Sequence, residues 1–257
     1  MSRFNGARKT IPGGLIAKTR LPDMPPTLTK GAARFHWLFF CFMAISIGMA
    51  GNVGFTPQFL AFIASKFGDD AKERVIQWQT LIEENSGHSE WQSINTVNTF
   101  FNQLRFISDD AHWGQTDYWA TPVEFLSTNG GDCEDFSIAK YFTLLELDVP
   151  DERMRITYVK ALKLNQAHMV LAYYETPTSE PLILDNLVPG ILPASLRDDL
   201  LPIYSFNGGS LWMSKEKGQG RMIEGGSNRI KLWRDLKVRM KQERELGYSH
   251  TAKTITE

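Results

Sequence analysis

The hydrophobic period of this 257-residue chain changes at Pro150. Upstream, apolar residues recur every three or four positions. Ala71, Val75, Trp78 and Ile82 form one stretch, and Trp91, Ile94, Val97, Phe101 and Leu104 the next. Such spacing puts them on one helix face. Asn85-Ser86-Gly87 divides the two stretches, and Ser89 is the expected cap of the second. Residues 108–122 read as a loop ending in Tyr118-Trp119-Ala120-Thr121-Pro122. A helical turn over Val123 to Leu126 follows, then Asn129-Gly130-Gly131 and a third helix over 133–146. Downstream of Pro150, Arg155 to Leu162, Ala167 to Tyr174 and Pro181 to Asp185 are rich in β-formers. Their short connections suit an antiparallel meander, and Leu211 to Ser214 is a fourth expected strand. Ile230, Trp233, Leu236 and Met240 mark a last helix ending near Gly247. Helices first and strands later in one chain imply an α+β fold, with N-terminal helices packed on an antiparallel sheet.

The first fifty residues have a different character. Arg34 precedes an apolar run from Trp37 to Ala50, short for a spanning helix and suited to a signal-peptide core. Gly48-Met49-Ala50 offers a cleavage site. The alternative is an uncleaved membrane anchor extended through Val53 and Phe55. The expected organisation is therefore 1–50 as signal peptide or anchor, 51–247 as one domain, and 248–257 as a flexible tail. Residues 1–50 hold seven basic residues and one acid, leaving 21 basic and 28 acidic residues in the body. An acidic body without a basic stripe argues against a nucleic-acid binder.

The chain has two cysteines, Cys41 in the apolar run and Cys133. If the first leaves with a signal peptide, the exported protein keeps one thiol, which cannot form an intramolecular disulfide. Cys133 is unlike an inert core cysteine, because it stands among Asp132, Glu134 and Asp135. Acids raise a thiol's pKa by disfavouring the thiolate. The expected helix start at Cys133 acts the other way, through its free N–H groups and dipole. A base is also needed. His168 lies early in the second expected strand, and Asp185 ends the next. If those strands are antiparallel neighbours, Asp185 can accept the imidazole N–H and fix its tautomer. Taken singly, each has a plainer reading. A strand histidine is often scaffold, and an Asp before Asn186 is often a turn former.

The segments GGDCEDFSIAKY, AHMVL and ILDN, with DYWATPVEFL ahead of the glycines, resemble the bacterial transglutaminase-like cysteine proteinases. The likeness extends over most of 55–245 and is strongest to the branch of periplasmic adhesin proteases. It implies a papain-like, transglutaminase-like fold, with Cys133 as nucleophile, His168 as general base and Asp185 as its orienting partner. It also implies a calcium ion held by Asp132 and Glu134, which would cancel their repulsion of the thiolate. Asp148, Asp151 or a backbone carbonyl are candidates to complete the shell. The implied substrate is the N-terminal region of a large surface adhesin, cut near a pair of alanines to release biofilm cells. The implied partner is an inner-membrane cyclic di-GMP receptor that sequesters the protease. Two other functions fit the same residues: acyl transfer or deamidation at protein glutamine, and a non-catalytic binding role. Tyr118 and Trp119 are either cleft walls or core aromatics.

Overall fold

The computed structural model describes residues 54–214 and 220–249. The expected signal or anchor run, Cys41 and residues 250–257 lie outside the described residues. Among the described residues, no helix is long and apolar enough to cross a membrane.

The helical half follows its caps and stripes. Helix α1 (Pro57–Phe67) begins behind Thr56, whose hydroxyl accepts the Phe59 N–H at 3.1 Å. Helix α2 (Asp69–Asn85) buries Ala71, Val75, Trp78 and Ile82 as the spacing predicts. Helix α3 (Glu90–Phe101) opens on a reciprocal cap between Ser89 and Gln92. Its buried face is Ser93, Ile94, Val97, Asn98 and Phe101, centred away from Trp91, which stays 56% exposed. The expected loop 108–122 contains a short helix, α4 (Asp109–Trp113). Thr121 and Glu124 cap α5 (Pro122–Thr128), with Pro122 where a missing N–H costs nothing. Helix α6 (Cys133–Glu146) is buried on nearly every side from Asp135 to Leu144, as expected of a helix that forms the centre of a core. Trp78 of α2 donates its indole N–H to Thr143 Oγ1 of α6 at 2.8 Å. Helix α7 (Lys231–Glu245) seats Trp233 flat on Phe142, ring centroids 5.4 Å apart.

Three short strands precede the main sheet. These are β1 (Gly54–Phe55), β2 (Arg105–Phe106) and β3 (Gly130–Gly131), of which β2 and β3 pair in parallel. The main sheet is built from β4 (Met154–Ala161), β5 (Gln166–Tyr173), β6 (Leu182–Leu184), β7 (Leu192–Pro193), β8 (Leu200–Phe206), β9 (Leu211–Met213) and β10 (Arg221–Met222). Its order is β10-β9-β8-β4-β5-β6-β7, and every pairing is antiparallel. The expected meander is β4-β5-β6. Strand β8 was not legible in the sequence, because Pro202 interrupts it. The sheet absorbs that proline at a register shift between Tyr158 and Val159 of β4. Met154, Ile156, Met169, Leu171, Leu184 and Phe206 pack into the helical core. Val159, Val170, Ala172 and Ile183 form a smaller cluster of their own. Packing of both residue parities explains why β4 and β5 read as continuous apolar runs.

Residues 248 and 249, assigned above to the flexible tail, are in a strand instead. Strand β11 (Tyr248–Ser249) pairs with β1. Tyr248 is buried, its ring 4.9 Å from Phe55 and 5.8 Å from Trp78. Burial of one large aromatic offsets much of the entropy of fixing two residues.

Candidate active site

The loop ahead of α6 is set by close approach. Asn129 ends α5 in the left-handed region (φ 59°). A Cβ on Gly130 would overlap Arg105 O, and one on Gly131 would overlap the Asp135 carboxylate. Asp135 is fully buried and works as a clamp. Its Oδ1 accepts the Ala120 N–H at 2.7 Å, and its Oδ2 accepts the Asp132 N–H at 3.2 Å. Asp132 becomes the N-cap of α6, and Cys133 its first residue, as the sequence predicts.

On the sheet, His168 of β5 and Asp185 just past β6 are brought together. His168 Nε2 lies 2.8 Å from Asp185 Oδ1, with both side chains buried. The antiparallel β5–β6 pairing places them as expected. The rest of the Asp185 carboxylate is also engaged. Oδ1 accepts the Leu187 N–H at 3.0 Å, and Oδ2 accepts Arg197 Nη2 at 2.7 Å. Arg197 is itself forked onto Asp199. Asn102 Nδ2 holds the Asp185 backbone carbonyl at 2.8 Å. Burial pushes the Asp185 carboxyl up, but the bonds from His168, Leu187 and Arg197 prevail and bring it down to about 2.

Cys133 lies against the same strand. It packs against the core cluster that contains Met169, the residue after His168, and the Met169 backbone N–H acts to lower the thiol pKa. The expected low thiol pKa is nonetheless not what the protein alone produces. Burial first, then the charge of Glu134 and a hydrogen bond to it, then the charge of Asp132, push the thiol well above its usual range. The Cys133 thiol donates to Glu134 Oε2 at 3.0 Å. Glu134 therefore turns toward the sulfur.

The acids extend beyond the two expected. Asp109, Asp117 and Glu134 bring carboxylate oxygens within 4.8 Å of one another, as do Asp109, Asp132 and Asp135. Burial and neighbouring charge raise Asp109 to about 6, Asp132 to about 8 and Glu134 to about 7. Asp109 Oδ1 and Asp132 Oδ1 are buried without a hydrogen-bond partner. Orphaned acceptor oxygens among self-repelling carboxylates are a donor set that fits a hard divalent cation. Asp109 and Asp117 stand in the region read as loop, where nothing in the local pattern separates them from solvated acids. Asp151 is not part of this group. It accepts Tyr141 Oη at 2.5 Å and the Gly208 N–H at 3.2 Å, and it follows Asp148 past the far end of α6.

The aromatic and histidine alternatives are also placed. Trp119 is buried and stacks on Phe206, centroids 5.6 Å apart, so it is a core residue. Tyr118 donates to Glu124 Oε1 at 2.8 Å beneath the Arg239 guanidinium. His112 stacks on Trp113 in α4.

Comparison with known proteins accords with this geometry. The model of the family described as bacterial transglutaminase-like cysteine proteinase matches residues 61–198. The solved structure of Legionella pneumophila LapG, EGTA-treated, is 45% identical with a TM-score of 0.63, covering 71% of this chain and 95% of its own. The same protein, calcium-bound, is 44% identical with a TM-score of 0.61, covering 70% of this chain and 97% of its own. No curated protein matches. The chain belongs to the bacterial transglutaminase-like cysteine proteinase family.

Proposed function

We propose that this protein is a calcium-dependent cysteine endopeptidase in which Cys133, His168 and Asp185 form the catalytic triad. The observation that carries the reading is the buried 2.8 Å contact of His168 Nε2 with Asp185, on a strand whose next residue, Met169, belongs to the core cluster against which Cys133 packs. With Nε2 engaged, Nδ1 is the ring nitrogen left to exchange a proton with the thiol. The Cys133 thiolate attacks the scissile carbonyl carbon and forms a tetrahedral oxyanion. The first turn of α6 supplies N–H groups without intrahelical partners, suited to hold that charge. As the C–N bond breaks, the imidazolium of His168 protonates the leaving amine. His168 then takes a proton from water, which hydrolyses the thioester. Asp185 keeps the ring in one tautomer throughout.

Asp132 and Glu134, with Asp109 and Asp117, would hold the calcium ion. Its charge would offset the carboxylates that otherwise keep the thiol protonated. The calcium-bound state of the Legionella pneumophila neighbour supports this assignment.

The natural substrate in this reading is the N-terminal region of a large surface adhesin, cut near a di-alanine site in the periplasm, with release of biofilm cells. An inner-membrane cyclic di-GMP receptor is the sequestering partner. These assignments rest on the resemblance carried by GGDCEDFSIAKY, AHMVL and ILDN and on the LapG neighbours. The test is cleavage of the purified adhesin N-terminal region in calcium, with Cys133→Ala as comparison and an amine donor added. Two fragments from the wild type and none from folded Cys133→Ala support the proposal. Incorporation of the amine with no chain scission would make the protein an acyl transferase and sink it.

A further inference from the structure

A row of four side chains crosses the sheet outward from Met169, the residue after His168. Met169 of β5 is the register partner of Tyr158 in β4, Tyr158 of Tyr204 in β8, and Tyr204 of Met213 in β9. Directly opposed residues in an antiparallel sheet point to the same face. Met169, Tyr158 and Tyr204 all pack against the helical core, which fixes which face that is. The row opens as it leaves Met169. Met169 is 3% exposed, the two tyrosines are half-buried, and Met213 is 44% exposed. Tyr158 and Tyr204 stack with centroids 5.0 Å apart and planes 10° from parallel, giving a flat step in the middle. Tyr204 feels the charges of Asp117 and Glu134, so the row passes beside the acids that flank the thiol.

We propose that this row is the substrate-binding strip on one side of the scissile bond, and that Met213 and the Tyr158–Tyr204 pair select apolar residues there. The inference rests on the protease reading and adds the chemistry of its substrate. Three strand spacings carry the row about 14 Å from β5. That is the reach of roughly four extended residues. An extended peptide whose carbonyl lies at Cys133 would therefore set its third or fourth neighbouring residue over Met213. The polarizable thioether and the tyrosine faces favour apolar side chains of varied shape. The row starts at the residue after His168, and Cys133, Tyr158 and Tyr204 all pack against the core cluster that contains Met169, which is what names a substrate peptide as its occupant.

The test is a peptide library made from a denatured bacterial lysate and digested in calcium by the wild type. Parallel digests use Met213→Lys, Met213→Glu, and Val238→Asp on the exposed face of α7. Mass spectrometry maps the residues around each cut, and circular dichroism confirms folding. Apolar enrichment at the third or fourth position on one side is expected for the wild type and Val238→Asp. Met213→Lys should shift that position toward Asp and Glu by about two- to fivefold, the range of an exposed ion pair, and Met213→Glu toward Lys and Arg. Cuts without that enrichment, or one unchanged profile across all variants, overturn the strip while leaving the protease reading intact. No cleavage by a wild type whose Cys133 still reacts with iodoacetamide overturns both.

Discussion

Arg197 Nη2 donates to Asp185 Oδ2 at 2.7 Å, across the carboxylate from the oxygen that faces His168. One carboxylate is thus shared between the His168 ring and a buried guanidinium, itself anchored to Asp199. The arrangement leaves Asp185 a single orientation in which to serve His168.

Arg197→Met should therefore lower kcat more than it raises KM. The lost bond is to a charged group, about 1.5–3 kcal/mol, or roughly 10- to 150-fold in kcat/KM. The variant should also be more sensitive to acid. Asp185 is held at about 2, below the ordinary carboxyl value of 3.8. The stability it contributes is present above that ordinary value and is lost as pH falls toward 2. Without Arg197 the carboxyl moves back up, and acid unfolding begins at a higher pH. Steady-state kinetics and acid titration by circular dichroism measure the two effects. Wild-type values in both would refute the coupling.

The acid cluster has the opposite sign. Asp109, Asp132 and Glu134 sit at about 6, 8 and 7 in the folded protein, all above their unfolded values. The metal-free fold then binds more protons than the unfolded chain between about pH 4 and 8. Its stability should fall as pH rises through that window, and millimolar calcium should restore it. Thermal melts at pH 5 and pH 8, with EGTA and with calcium, provide the measurement. Asp132→Asn should raise the EGTA melting temperature at pH 8 and blunt the calcium response. A metal-free melting temperature that climbs from pH 5 to 8 would contradict this account.

Gly131→Ala should reduce activity strongly with the fold retained. The added methyl overlaps the Asp135 carboxylate, which fixes both Ala120 and Asp132. A displaced clamp moves the start of α6, and small misplacements at a catalytic centre cost about 100-fold. Turnover together with the rate of Cys133 alkylation reports the result. Gly190→Ala, at an exposed bend with open space around it and no left-handed φ, is the comparison.

Tyr248→Ala should destabilise the protein by about 3–5 kcal/mol, the cost of truncating a buried aromatic. Its ring closes a cluster with Phe55, Phe59 and Trp78 that ties the two ends of the domain together. Denaturant unfolding measures the loss. A change under 1 kcal/mol would show that the last strand is dispensable.

Much of this protein was determined by sequence alone, wherever the deciding contacts are local. Stripes repeating every three or four residues fixed α2 and α3, caps at Ser89 and Thr121 fixed helix starts, and β-rich runs fixed β4, β5 and β6. The order cysteine, histidine, aspartate could be read because each sits at an element the local pattern defines. Tertiary structure alone decided the rest. It brought Asp109 and Asp117 to Glu134, placed Arg197 on Asp185, and turned Glu134 onto the Cys133 thiol. It also packed Cys133 against the cluster that holds Met169 and lined Tyr158, Tyr204 and Met213 into one row. Those relations are set by strand register and by which loops pack on which helix end. Periodicity within one segment carries no information about another segment's register, so these relations had no trace in the chain.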